Sequence, residues 1–189
     1  LGITIHQARA LAYLADQKNL NTIADAGHDT QIMAIARKAF IEESGAALIQ
    51  RHAQLGDSLF TPAGYQAYAD DLLERMVNPN LNDLVSRVGR DHIRKLSYDD
   101  RIYGTIRLAL RYRIEPKNMA LGAAAGVLSM IKRQDTFKEP IPHLPKSAAE
   151  LTQSGLKDLL THLWGDKADQ YAPTMIDLTW QALGQFINI

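Results

Sequence analysis

No cysteine occurs among the 189 residues, so disulfide scaffolds, thiolate zinc sites and thiol nucleophiles are all excluded, and a cytosolic (cytoplasmic) address fits. Neither sign of charge is in excess: 21 Lys and Arg face 21 Asp and Glu, and the pI is near 7.2. A neutral chain has no global field for gripping nucleic acid or an anionic membrane, so any anion it binds must be held by a local cluster. No apolar run approaches the roughly 18 to 20 residues that a membrane-crossing helix needs. The start, Leu1 to Ala10, is interrupted by polar residues and has no basic leader, unlike a signal peptide. It also lacks an initiating Met, so a cut from a longer protein is expected. Alternating β-branched stretches of strand length are scarce, and no internal repeat or low-complexity tract is visible.

What is present is helical periodicity. With 46% hydrophobic residues, the chain can bury a real core, and one all-α domain over residues 1–189 is expected. From Gln31, Ile32, Ile35, Ala36, Ala39 and Phe40, then Ala46, Ala47 and Ile49, recur at three- and four-residue steps and form a stripe that must be buried. Tyr65, Tyr68, Leu72, Leu73 and Met76 do the same between Thr61 and Val77, with Thr61 as N-cap and Pro62 in the first turn. Ser97 with Asp100, and Ser147 with Glu150, have capping spacing. Glu115-Pro116 opens a helix whose small residues, Ala120 to Gly126, allow a neighbouring backbone to come close. Three prolines make 139–145 a surface connection, and helices follow around Leu156 to Trp164 and Thr174 to Phe186.

The densest polar cluster runs Arg87-Val88-Gly89-Arg90-Asp91-His92-Ile93-Arg94-Lys95-Leu96, followed by Asp99, Asp100 and Arg101. Such a turn can aim guanidinium forks and a mobile ammonium at one phosphate or polyol. Alternatively it is a solvated basic face whose charges pair with Asp91, Asp99 and Asp100. His6 could serve as a general acid or base. No two histidines sit at i, i+4 around a carboxylate, so no metal site is expected. Gly122 to Gly126 has no preceding strand and is not a dinucleotide fingerprint, and there is no Gly-x-Ser-x-Gly elbow.

Three segments carry a resemblance. Ala12-Tyr13-Leu14 with Thr22-Ile23-Ala24-Asp25-Ala26, then Glu42-Glu43-Ser44-Gly45-Ala46-Ala47-Leu48-Ile49, and above all Asn78-Pro79-Asn80-Leu81-Asn82-Asp83 through Arg87-Val88-Gly89-Arg90 to Arg94-Lys95-Leu96-Ser97 and Asp100-Arg101, resemble the C-terminal domain of the mannitol dehydrogenase family of polyol-specific long-chain dehydrogenases, in its mannitol-1-phosphate 5-dehydrogenase branch. Lys117-Asn118 also fits. The resemblance covers roughly residues 1–130 and fades beyond Lys132.

It implies a multi-helical substrate domain of the 6-phosphogluconate dehydrogenase C-terminal type, joined to an N-terminal Rossmann domain that lies outside this chain and holds most of the NAD. The implied reaction is hydride transfer between NAD and a sugar-alcohol phosphate, here mannitol 1-phosphate and fructose 6-phosphate, without a metal. The family's Lys-x4-Asn-x2-His motif supplies the general base and its helpers. Aligned on Tyr13 without gaps, the lysine falls just before Leu1, the asparagine on Ile5 and the histidine on Ala8. His6 lies two positions from the histidine, about 200° around a helix, and is the nearest catalytic candidate in the chain. Arg87 and Lys95 match the family's substrate-positioning pair, and Arg90, Arg94 and Arg101 are candidates for the phosphate by charge. A dehydrogenase of an unphosphorylated polyol or a hexuronate, and a non-catalytic helical binding module that has lost the Asn and His, are the competing expectations. Alone, the chain is expected to be inactive. Nucleic acid and membrane are not expected as partners, because the cluster is small and has no interleaved aromatics.

Overall fold

The computed structural model describes residues 4–187, with side chains from Arg9 to Phe186. The chain forms α1 (Thr4–Gln17), α2 (Ile23–His28) and α3 (Thr30–Lys38), then a π-helical segment (Ala39–Gly45) that runs directly into α4 (Ala46–His52). There follow α5 (Pro62–Met76), α6 (Val85–Gly89), α7 (His92–Lys95), α8 (Arg101–Arg111), α9 (Lys117–Lys132), α10 (Gln153–Trp164) and α11 (Ala172–Ile187). Among the described residues no strand forms, and Thr22 and Leu84 make one isolated antiparallel bridge. The fold is all-helical, as the periodicity requires.

The hub is α9. Every residue from Met119 to Ile131 is buried, as expected of a helix that is apolar on all sides, and α1, α3, α8 and α11 pack around it. Its small residues let α1 approach closely. A Cβ on Gly122 would lie 2.8 Å from the Ala10 Cβ, and one on Gly126 would lie 3.0 Å from the ring of Tyr13. Tyr13 also touches the backbone at Gly89, where a Cβ would sit 3.5 Å from its ring. The tyrosine thus fills a slot between α6 and α9 that glycines leave open.

The stripe that begins at Gln31 is one rod from Thr30 to His52, but it is not uniformly α-helical. The π segment, with its wider hydrogen-bonded turn, lets Phe40, Glu43, Ser44 and Gly45 all be buried. Gly45 is required there, because a Cβ would come within 2.5 Å of the Tyr65 ring.

Two capping expectations need correction. The helix expected from Ser97 starts at Arg101, and Asp100 is its N-cap, accepting from the Arg101 backbone N–H at 2.6 Å. Ser147 precedes only a short 3-10 turn at Ala148–Glu150 and makes no side-chain cap. The cap of α10 is instead Thr152, accepting from the Gly155 N–H at 3.0 Å. In both places an acid or hydroxyl three to five residues farther on won the competition for the orphan donors. Thr61 caps α5 as expected, accepting from the Gly64 N–H at 3.1 Å.

Candidate functional site

The cationic turn is pinned to the body of the fold by the bridge at Thr22 and Leu84, through Ile23 N–H to the Asp83 carbonyl and Val85 N–H to the Asn21 carbonyl, each 2.9 Å. The helices α6 and α7 follow at once, separated by Arg90 and Asp91. Asp91 adopts a left-handed backbone (φ 65°), a conformation that Asp tolerates better than most residues. The reversal presents Arg90 and Arg94 on one side of the turn and sends Lys95 inward.

Lys95 is only 3% exposed, and its ammonium donates to the Val88 carbonyl at 2.6 Å. Burial, followed by the neighbouring Arg9 guanidinium, pushes its pKa down to about 8, with Asp91 opposing the shift. The amine therefore stays largely protonated at neutral pH but is poised to lose a proton under mildly alkaline conditions. Arg9, on α1 and 8% exposed, is held by Asp100 at 3.1 Å. Arg94 reaches the same Asp100 at 3.7 Å and Asp91 at 3.4 Å. Within this charged nest the Tyr13 hydroxyl is buried and has no hydrogen-bond partner, and burial raises its pKa.

Behind α7 lies a polar relay. The His92 Nε2 is 3.0 Å from the Ser129 hydroxyl, which donates to Asp16 Oδ2 at 2.6 Å. Asp16 in turn accepts from Arg133 at 2.5 Å and pairs with Lys132 at 3.4 Å. The His92 ring stacks on Tyr13 with centroids 5.3 Å apart and meets Phe137 edge-on at 5.8 Å. Burial, aided by the charge of Lys95, pushes the His92 pKa down to about 4.

A cavity of about 850 Å³ opens beside this turn, walled by Arg90, Arg94, His92, Arg133, Phe137 and Ser97 among others. The structure thus gathers Arg90 and Arg94 at one cavity and sets Lys95 just behind them with Arg9. Arg101 stays half-buried near Arg9, whose guanidinium feels its charge. Arg87 stands apart, exposed and paired with Asp83 one helical turn away. The backbone of His6 lies in α1, but its side chain is outside the described residues.

Sequence reasoning passed over Arg9, Asp16, Ser129 and Arg133, and it read His92 only as part of a charged run. Arg9, Tyr13 and Asp16 recur at three- and four-residue steps along the otherwise apolar stretch from Ala8 to Asp16 of α1. That row of polar groups on a buried face was the available signal.

Among the described residues no group of three or more His, Asp or Glu side chains could hold a metal ion. The glycines of α9 offer no cradle for a dinucleotide, because Ala10, Tyr13 and Leu96 already fill the space beside them. No helix is long and apolar enough to cross a membrane. A family model of the mannitol dehydrogenase C-terminal domain matches residues 6–168. The chain belongs to that family, a group of polyol dehydrogenases within the oxidoreductases.

Proposed function

We propose that this chain is the substrate-binding part of an NAD-dependent dehydrogenase that interconverts mannitol 1-phosphate and fructose 6-phosphate, completed by a Rossmann domain N-terminal to it. The observation that carries the phosphorylated substrate is the cavity walled by Arg90, Arg94 and Arg133. Its volume is within the range of small-ligand sites, and guanidinium forks match phosphate oxygens in pairs. Nothing in α9 fits a dinucleotide, so the nicotinamide that would accept or return the hydride belongs to the companion domain. The residues of this chain bind and orient. Arg90 and Arg94 take the phosphate, and Lys95 supports the polyol as a buried donor. Burial, with the Arg9 guanidinium beside it, biases the Lys95 amine toward its neutral form. Arg87 and Arg101 complete the proposed binding set at its margins, and His6 is the proposed helper nearest the position where the family's lysine would fall.

The test is NADH-dependent reduction by the full-length protein. Fructose 6-phosphate should turn over, and Arg94→Ala should raise its KM at least tenfold while changing that of free fructose much less. No turnover across a panel of sugar phosphates sinks the proposal. Equal losses on phosphorylated and free sugars would shift the reading to an unphosphorylated polyol.

A further inference from the structure

The relay behind α7 fixes the protonation of His92 atom by atom. Asp16 is 4% exposed and ionised: burial raises its pKa, but the hydrogen bonds from Arg133 and Ser129 and the charges of Arg133 and Lys132 outweigh it and hold the carboxyl below its ordinary range. A carboxylate can only accept hydrogen bonds, so the single proton of the Ser129 hydroxyl is committed to it at 2.6 Å. What Ser129 has left for His92 is lone pairs. The contact at 3.0 Å therefore requires the proton on Nε2, which leaves Nδ1 as a bare acceptor.

Nδ1 has no hydrogen-bond partner among the described residues, and it is not one of the sealed polar atoms. The ring itself is clamped between the face of Tyr13 and the edge of Phe137, and His92 and Phe137 both wall the cavity that holds Arg90, Arg94 and Arg133. That cavity also holds the Arg90 and Arg94 guanidiniums, which would take almost any phosphate, and the Asp91 carboxylate, which pairs with Arg94 at 3.4 Å; the Arg133 guanidinium is committed to Asp16. A fixed, uncharged acceptor beside these cations suits a ligand that carries a hydroxyl donor next to its phosphate.

We propose that His92 is a substrate-binding residue whose Nδ1 accepts a hydrogen bond from a hydroxyl of a sugar-alcohol phosphate in this cavity. The proposal rests on the reading of the cavity as the substrate's phosphate site, and it adds the feature that separates a polyol phosphate from phosphate alone. A site with a committed hydrogen-bonding partner discriminates against ligands that cannot meet it. Ser129, Asp16 and Arg133 act through His92 as positioning residues.

Binding of mannitol 1-phosphate and of inorganic phosphate to the full-length protein, measured by calorimetry, tests the proposal. His92→Phe keeps an aromatic ring between Tyr13 and Phe137 and removes the acceptor. It should weaken mannitol 1-phosphate about tenfold and inorganic phosphate less than twofold. Arg94→Ala should weaken both. If Arg94→Ala weakens both ligands and His92→Phe spares them or weakens them equally, the proposal for His92 is overturned while the cavity reading stands. If Arg94→Ala spares both, the cavity reading falls and takes the proposal with it. Long-range proton–nitrogen NMR of labelled histidine gives an independent readout on the unaltered protein: the Nε2–H tautomer is expected, and the Nδ1–H tautomer overturns the proposal. Should His92→Phe fail to fold, Ser129→Ala replaces it, with a mixed tautomer signal and a selective loss for mannitol 1-phosphate as the expected result, and unchanged affinity overturning it.

Discussion

Both ends of α9 are held by a buried carboxylate, and the two carboxylates are satisfied in opposite ways. At the N-terminal end Glu43, reaching in from the π segment, accepts from the Asn118 backbone N–H and side-chain amide at 2.7 Å each and from the Met119 N–H at 2.8 Å. Its partners are neutral donors at the positive end of a helix dipole. At the C-terminal end Asp16 meets Ser129 and two cations, Lys132 and Arg133. Burial dominates at Glu43 and raises its pKa despite three hydrogen bonds. At Asp16 burial is again the largest single influence, yet the cations reverse the outcome and the pKa falls. Neutral donors therefore make a buried carboxylate tolerable, whereas paired cations make it a source of pH-dependent stability.

The largest break in this comparison is Asp16→Ala. It leaves the buried Ser129 hydroxyl and Arg133, whose side chain is a third exposed, without their acceptor and should cost about 3 kcal/mol or somewhat more, less than a fully buried pair would because solvent reaches the guanidinium, read as a lower midpoint in urea unfolding. Glu43→Ala leaves two first-turn N–H groups and an amide without acceptors but no charge unpaired, and should cost about 2–3 kcal/mol. If Glu43→Ala proves the costlier of the two, the contrast between the two ends is wrong.

Acid sharpens it further, because the signs differ. Asp16 has a lowered folded pKa, so its contribution is full above the ordinary carboxylate value of 3.8 and is lost as pH falls through the folded value. Glu43 has a raised folded pKa, so it disfavours folding above that value and this penalty disappears as pH falls to its ordinary 4.5. The stability gap between the unaltered protein and Asp16→Asn should therefore narrow as pH drops from 5 toward 2, while the gap to Glu43→Gln should shift in the protein's favour as pH drops from 7 toward 4. The smallest effect is expected at Arg87→Ala, which removes an exposed pair with Asp83 and should change stability by less than about 0.5 kcal/mol.

How far the sequence carried this depended on whether a feature was local. The helices of 61–77 and 117–132 were legible because their caps and stripes lie within a few residues of each other. The tight α1–α9 contact was half legible: small residues at 120–126 announced a close neighbour, but only the fold says that it is Ala10 and Tyr13. Caps were misread at Ser97 and Ser147, where several hydroxyls and acids crowd one helix start and spacing cannot rank them. The cationic turn was visible as a charge run, yet its division into an exposed Arg87, a cavity-facing Arg90 and Arg94 and a buried Lys95 depends on the left-handed turn at Asp91. The relay was invisible, because His92, Ser129, Asp16 and Arg133 come from three distant parts of the chain, 37 residues separating His92 from Ser129 and 113 separating Ser129 from Asp16.

The π segment at 39–45 makes one backbone rod address two surfaces: α3 leans on α1 and α9, and α4 leans on α5 and α8. It works as a phase offset. Deleting one residue there would let the stretch close as ordinary α-helix, and everything from Ala46 onward would rotate by about 100°, carrying Ala47 and Leu48 out of the core. The length of this segment is thus a timing mark for the fold, and a one-residue indel within it would be read along the whole of α4 and at the Glu43 clasp on the central helix, far beyond the site of the change.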